Sequence, residues 1–419
     1  MSEFISELRL EPLQGNERID CGAEEELYRR AGQEAAGRLL ATRWQDGDVA
    51  SKATCGQCQG KMRAMGRREK RVRTLCGSVG LERKVFYCTG CKVTKAPLDE
   101  RLGIAETGIT PGLSRVVCRT ALELPYTQSQ QLLSDSLGFK PCSAREIERI
   151  ADQHGERIEQ MKHLGDFKPA AEAMAHKKDH YCLAIDAGMI PGLPDPERHR
   201  LNWHDVKLAV AFDAKKIAAS FYVAGREDAT RFGGRLWREL ESRRLYKERF
   251  QLILGDGASW IWNLVDMHLP GVPQLLDLYH AAQHLYQTAS HCWPETKALE
   301  WWHRRLGQLK GGYMANFFAS LQWLARRYPN DESDESPKRL LGYFNDNRQR
   351  LDYQWAISNH LPIGSGPAES AISHIVQQRL KQSGMRWSDP GAQTTLNLRT
   401  LHRNGDFEQY WETLAAKAS

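Results

Sequence analysis

HYCLAIDAGMI, residues 180–190, is an apolar run with one charged residue inside it. Its aliphatic content and length read as a buried strand. Asp186 breaks the pattern, because aspartate is disfavoured in strands and costly to bury without a partner. The neighbouring sequence decides what that strand belongs to. Beyond the loop PGLPDPERHRLNW (191–203), the stretches HDVKLAVAF (204–212) and IAASFYVAG (217–225) read as two strands joined by a short turn at 213–216. They are expected to continue from the first as an antiparallel set.

The pattern then changes to alternating helix and strand. RFGGRLWRELESRRLY (231–246) carries an apolar helical stripe, and RFQLILGDGASW (249–260) is a strand that ends in Asp256-Gly257. SWIWNLVDMHL (259–269) reads as a helix and VPQLLDLY (272–279) as a fifth strand, with a helix after it. The order βββαβαβ followed by a helix is that of the ribonuclease H fold, in which the fourth strand pairs parallel with the first. In that topology Asp186 and Asp256 converge on one end of the sheet. Acids at strand ends also cap the next helix, so either aspartate alone is weak evidence; the pair is more specific.

A third acid is expected from a helix after the fifth strand. Helical, tryptophan-containing sequence intervenes first, with Trp293, Trp301, Trp302, Trp323 and Trp355, and the acidic loop YPNDESDESPK (328–338) breaks it. Core packing is the ordinary reading of those tryptophans, and base stacking the alternative. The chain then reads IGSGPAES (363–370), where Pro367 suits the first helical position and Glu369 the first turn. A helical insertion before this last acid-bearing helix accounts for the gap. Asp186, Asp256 and Glu369 would then be the ligands of two Mg²⁺ (or Mn²⁺) ions, which hold the attacking and leaving oxygens of an in-line phosphoryl transfer. Asp186, central on the sheet, is the natural bridging ligand.

The N-terminal third has a different chemistry. TCGQCQG and YCTGCK supply Cys55, Cys58, Cys88 and Cys91, two C-x-x-C pairs that can aim four thiolates at one structural zinc ion; a redox pair is the competing reading, which two pairs fit less well. KRVRTLCGSVGLERKVFYC between them alternates, with a turn near Gly77–Gly80, as a ribbon hairpin requires. The other cysteines are dispersed and expected to be reduced and buried. Lys61, Arg63, Arg67, Arg68, Lys70, Arg71 and Arg73 crowd the same hairpin, read either as phosphate contacts or as a solvated basic face. Further on, YTQSQQLLSDSLGFKPCSAREIERIADQHGERIEQM reads as a helix over about 127–137, a turn at Gly138 and a second helix. The second helix opens on the capping box Ser143–Glu146. This matches helix-turn-helix motifs, with Arg145 and Arg149 as candidate DNA contacts.

Net charge is +6 with pI about 8.7, and 41% hydrophobic against 26% charged residues describes an ordinary globular chain. Its 419 residues leave room for about three domains. The start, MSEFISELRLEPLQG, lacks a signal-peptide pattern, and no run is long enough to span a membrane, so a cytoplasmic location is expected. The fold class expected is multidomain α+β. Residues 1–50 form a helical segment, 51–100 the zinc ribbon and 101–175 the helix-turn-helix region. Residues 176–290 form the first part of a ribonuclease H-like α/β core, 291–360 the α-helical insertion, and 361–419 the last part of the core.

Taken together, the cysteine pairs leading into APLDERLGI, the AIDAG strand, LGDGASWIW, LDLYHAAQHL and GSGPAESAISHIVQQRLKQSGMRWS make a pattern that spans nearly the whole chain. It resembles bacterial insertion-sequence DDE transposases, of the ISKra-type branch allied to the Mutator superfamily. The resemblance implies that Asp186, Asp256 and Glu369 are the catalytic triad and that the substrate is the element's own terminal inverted repeats. It also implies that strand transfer into target DNA follows cleavage. Asp277-Leu-Tyr-His280 fits the superfamily's acid-and-histidine motif. Its residues either support the active site or act as a helix N-cap with a packed histidine. Arg379, Lys381 and Arg386 follow Glu369 as candidate phosphate contacts, or as a solvated helix face. The partner implied is double-stranded DNA, and synapsis of two ends implies a homodimer or higher oligomer, nucleoid-associated in a bacterial cytoplasm. Two other readings stay open. One is a ribonuclease H-like nuclease or resolvase that cuts without joining; the other is a transposase-derived DNA-binding regulator without catalysis.

Overall fold

The computed structural model describes residues 20–105, 107–170, 181–194, 202–213, 216–329 and 331–418. The start of the expected N-terminal segment (1–19), the junction at 171–180 and most of the loop at 195–201 lie outside the described residues. The architecture is mixed α+β with two sheets. The chain divides into two compact units, Met1–His154 with Tyr410–Ser419, and Gly155–Gln409.

The first unit begins with helix α1 (Cys21–Asp46), capped by the Asp20 side chain. A three-stranded antiparallel sheet follows: β1 (Arg63–Thr74), β2 (Gly77–Tyr87) and the short β3 (Thr94–Lys95), in the order β1-β2-β3. The hairpin turn falls at Leu75–Cys76, earlier than the glycine pattern suggests, because Gly77 takes φ +104 as the first residue of β2. Val72, Leu81, Leu98 and Ile104 form a small core under the hairpin. Helices α2 (Pro97–Arg101), α3 (Pro111–Ala121) and α4 (Tyr126–Leu137) come next, then α5 (Ala144–His163), whose residues up to His154 belong to this unit. Gly138 ends α4 in the left-handed region at φ 69. The expected capping box is formed: Ser143 N–H donates to Glu146 at 2.9 Å, and Glu146 N–H donates to Ser143 Oγ at 3.3 Å.

The second unit is built on a five-stranded sheet. β4 (Tyr181–Pro191), β5 (Trp203–Asp213) and β6 (Lys216–Gly225) are antiparallel. Helix α6 (Ala229–Ser242) leads to β7 (Phe250–Gly255), and α7 (Ser259–His268) to β8 (Gln274–Leu276). β7 pairs parallel with β4, and β8 parallel with β7, giving the order β6-β5-β4-β7-β8. The centre of this sheet is dry. Cys182, Leu183, Ala184 and Ile185 of β4 are fully buried, as are Leu252, Ile253 and Leu254 of β7. Each buried leucine or isoleucine there contributes about 1.5–3 kcal/mol.

Helix α8 (Leu278–Cys292) follows β8, and α9 (Glu295–Lys310), α10 (Met314–Arg327), α11 (Pro337–Asp346) and α12 (Tyr353–Ser358) cover the stretch expected as an insertion. Leu309, Phe317, Leu321, Phe344 and Tyr353 share one continuous core with the sheet. Of the tryptophans expected to be core, Trp301 and Trp302 are half-buried against it, whereas Trp323 is 53% exposed and Trp355 is exposed as well. The chain ends with α13 (Gly366–Ala371), a π-helical turn (Ile372–Gln377), α14 (Gln378–Leu380), α15 (Asp389–Arg403) and α16 (Phe407–Ala418), of which the part from Tyr410 belongs to the first unit. Of the dispersed cysteines, Cys118, Cys142 and Cys182 are buried as expected, whereas Cys21 is exposed and Cys76 and Cys292 are half-buried.

Candidate active site and metal centre

The parallel register sets the second unit's acidic site. Ile185 pairs with Gly255, and Gly255 with Leu276. The next residue in each case is an aspartate, so Asp186, Asp256 and Asp277 stand in one row, Asp256 and Asp277 just past the ends of β7 and β8, and Asp186 inside β4 just past its last pairing with β7. Their surroundings then separate them. Asp186 is half-buried, and its carboxyl is pushed up to about 6. Burial is the main cause, and the charges of Asp256 and Glu369 add to it, while the Ala187 N–H and His280 oppose it. Asp186 therefore senses both of the acids expected as its partners.

Asp256 is half-buried, and its side chain accepts the Ala258 N–H at 2.8 Å. The turn just after it needs Gly257, which sits at φ +100 with the Tyr343 ring close by. Glu369 is exposed on α13, whose opposite face buries Ala368 and Ala371 against β4 and β5. Gly188, two residues after Asp186, allows that close approach. A Cβ there would lie 2.9 Å from Ile372 Cγ2 at the start of the π turn.

Asp277 is the acid with no free valence. It is 1% exposed and caps α8, accepting the N–H groups of Tyr279 at 2.6 Å and His280 at 2.9 Å. Its other oxygen accepts the Ser365 N–H at 2.5 Å and also the Ser365 hydroxyl. Ser365 immediately precedes α13, so one carboxylate ties the start of α8 to the start of the Glu369 helix. His280 is half-buried and stacks edge-on with His284 at 5.0 Å, and His284 packs against Tyr343 at 4.6 Å. The helix-cap reading of Asp277 thus describes its contacts, and the sequence reasoning missed Ser365, Gly188, His284 and Tyr343. A glycine inside a strand pattern was the one available signal among these.

The first unit contains a cluster of a different kind. Among the described residues, Cys55, Cys58, Cys88 and Cys91 are the one group of three or more potential ligands gathered within 4.8 Å, a set that could hold a structural zinc ion. Asp186, Asp256 and Glu369 do not close to that distance. The two knuckles repeat each other: Cys55 N–H donates to Gly60 O and Cys88 N–H to Val93 O, both at 2.9 Å. Gln59 at φ 56 and Lys92 at φ 55 follow the second cysteine of each pair. The backbone N–H groups of Cys58 and Gln57 bring the Cys55 thiol down to about 6, while hydrogen bonding to Cys58 chiefly pushes Cys91 up. Four crowded thiols cannot all ionise without a cation, so the charge settles where backbone amides point.

The basic residues divide. Arg67, Arg68 and Arg71 are exposed on the hairpin, and Arg145 and Arg149 on α5. Lys70 is consumed by Asp99 at 2.9 Å and the Ile104 carbonyl at 2.9 Å, and Arg73 by Glu146 at 2.6 Å. Both brace this unit instead of facing solvent freely. Arg379 departs furthest from expectation. It is 1% exposed, with its guanidinium 5.1 Å from the centre of the Trp387 ring. The π turn before it takes more residues per turn than an α-helix, which brings later positions round out of α-helical phase. Lys381 lies over Trp203 at 5.4 Å, and Arg386 is exposed.

Among the described residues, no helix is long and apolar enough to cross a membrane. No family model matches the chain. No curated protein matches it either. Among solved structures, a similar chain comes from the Drosophila P element transposase strand transfer complex, with 11% identity over 75% of this chain and 84% of that chain and a TM-score of 0.26.

Proposed function

We propose that the protein is a DNA transposase of the DDE type, with Asp186, Asp256 and Glu369 as the ligands of two Mg²⁺ (or Mn²⁺) ions in a ribonuclease H-like core. The observation that carries this reading is that Asp186, inside β4, stands level with Asp256 at the end of β7 and feels the charges of both Asp256 and Glu369. The strand order β6-β5-β4-β7-β8, with its antiparallel and parallel halves, is what such a core requires, and supports it.

The acids suit cations on their own chemistry. Asp186 is driven toward protonation by burial and by two neighbouring carboxylates, and a divalent charge would reverse that balance. Ligands on opposite sides of two ions about 4 Å apart are themselves well separated, so a carboxylate set wider than the cysteine cluster fits a two-ion site. When bound, such ions activate water and stabilise the attacking and leaving oxygens of phosphoryl transfer. Asp186 would bridge, Asp256 and Glu369 would each complete one side, and Asp277 would hold the Glu369 helix in place. His280 faces Asp186 as a support. Hydrolysis of a phosphodiester at the element end frees a 3′-hydroxyl, whose attack on a target phosphodiester then joins element to target.

The first unit supports a DNA-reading role. A zinc-stapled hairpin presenting Arg67, Arg68 and Arg71, and a helix-turn-helix with Arg145 and Arg149 at the start of its second helix, offer phosphate and groove contacts. Double-stranded DNA is the partner, and joining two ends calls for at least a dimer. A strand-transfer assay with labelled element-end DNA and Mg²⁺ tests the proposal. Wild-type protein is expected to nick and join. Asp186→Asn, Asp256→Asn and Glu369→Gln should bind the ends and do neither, and undiminished cleavage by any one of them removes that residue from the triad.

A further inference from the structure

Tyr343 lies on α11, in the helical stretch between the fifth strand and the Glu369 helix, and its hydroxyl donates to the Asp256 main-chain carbonyl at 2.8 Å. That carbonyl lies just beyond the last ladder pair, where no strand neighbour is available to it; the preceding carbonyl, of Gly255, is taken by the Asp277 N–H at 2.8 Å. Gly257 follows in the left-handed region, and a Cβ there would meet Tyr343 Cε2 at 2.8 Å and Asn347 Nδ2 at 3.1 Å. Asn347, 2% exposed, donates to the Tyr343 carbonyl at 3.0 Å and accepts the Trp262 indole N–H at 2.9 Å. Helix α11 and its end thus grip the Asp256–Gly257 turn from above, and the following helix α7 through Trp262. Burial and the charges of Asp256 and Asp277 raise the phenol, which keeps it a donor. The Tyr343 ring also packs on His284, one helical turn from His280.

We propose that Tyr343 is a positioning residue for Asp256, fixing the turn so that the carboxylate is held ready for a divalent cation. This rests on the carboxylate-site reading above. It also assigns a task to the helical stretch 291–360: besides enlarging the core, it supplies the donor that sets one metal ligand.

The test is Mn²⁺ binding by the full chain, with free Mn²⁺ followed by electron paramagnetic resonance, for wild type, Tyr343→Phe and Asp256→Asn. Phenylalanine keeps the ring and removes only the donor. Tyr343→Phe is expected to weaken Mn²⁺ binding about three- to tenfold, the worth of one hydrogen bond, while lowering the unfolding temperature by no more than about 2–4 °C. In a cleavage assay the same variant should need more Mg²⁺ for half-maximal rate yet approach the wild-type rate at saturation, a split that a general loss of folding would not produce. Wild-type Mn²⁺ affinity in Tyr343→Phe, with binding lost in Asp256→Asn, overturns the role of Tyr343 and leaves the carboxylate site standing. Wild-type affinity in Asp256→Asn overturns the site itself, and the inference with it.

Discussion

The Asp277 carboxylate and Ser365 are bonded twice, main chain and hydroxyl to one oxygen, although 88 positions separate them in the chain. That contact fixes where α13 begins, and so where Glu369 stands relative to Asp186 and Asp256. Asp277→Ala leaves four donors facing a void. It is expected to cost about 2–4 kcal/mol in chemical unfolding and to abolish cleavage. Ser365→Ala removes one donor only and should cost about 1 kcal/mol. Equal stability of Asp277→Ala and wild type would show that this contact does not hold the helix.

Asp186 has a folded-state value of about 6, above its ordinary 3.8. A raised carboxyl favours the folded state most below pH about 4, and that contribution is lost as pH rises through about 6. Without added divalent cation, Asp186→Asn is therefore expected to be more stable than wild type at pH 7 by about 1–3 kcal/mol. The gap should close below pH about 4. Denaturant titrations at the two pH values check this, and a less stable variant at pH 7 would contradict it.

Gly188→Val inserts a side chain where even a Cβ would be 2.9 Å from Ile372. The π turn and α13 must then move away from β4, at a cost of about 1–3 kcal/mol. Cutting Ile372 to alanine in the same protein should recover part of that stability and part of the activity. Additive losses in the double variant would place the damage elsewhere.

The acids of the candidate site were legible in the sequence. Asp186 stands out because a charged residue in an apolar strand calls for a reason, and Asp256-Gly257 reads as a strand end because glycine allows the turn. Glu369 followed from the strand order. The packing around these acids was not legible. Ser365 looks like a linker residue, and its bond to Asp277 depends on two loops meeting in space. Arg379 reads as a surface cation on α-helical spacing, but the π turn changes the phase. That turn is stabilised from far along the chain by buried Arg399, which donates to the Ile375 carbonyl at 2.7 Å and to that of His374. Lys70 and Arg73 look like their exposed neighbours because their partners, Asp99 and Glu146, are distant in sequence.

The divided arginines give a direct comparison on DNA. Arg67→Ala and Arg71→Ala are expected to weaken end binding and each to reduce the slope of affinity against salt by about 1, with unfolding unchanged. Lys70→Ala should instead lower stability, because it leaves Asp99 short of one cation. Affinity measured at several salt concentrations, alongside thermal melts, separates the two groups. Identical behaviour would contradict the division.

Cys88→Ser is expected to lower zinc content from about one ion per chain to none, since a site of four thiolates loses most of its affinity with one ligand gone. The hairpin should then become sensitive to protease. Full zinc retention would exclude the four-cysteine site.

In the proposed reaction, Asp186, Asp256 and Glu369 share one pair of divalent ions. Crystals of the full chain soaked in Mn²⁺ and measured at the manganese edge test this most directly. Two anomalous peaks about 3.5–4 Å apart are expected, both against Asp186, with Asp256 on one and Glu369 on the other. A well-diffracting soak with no peak at Asp186, or with manganese bound only away from these three carboxylates, would contradict the account.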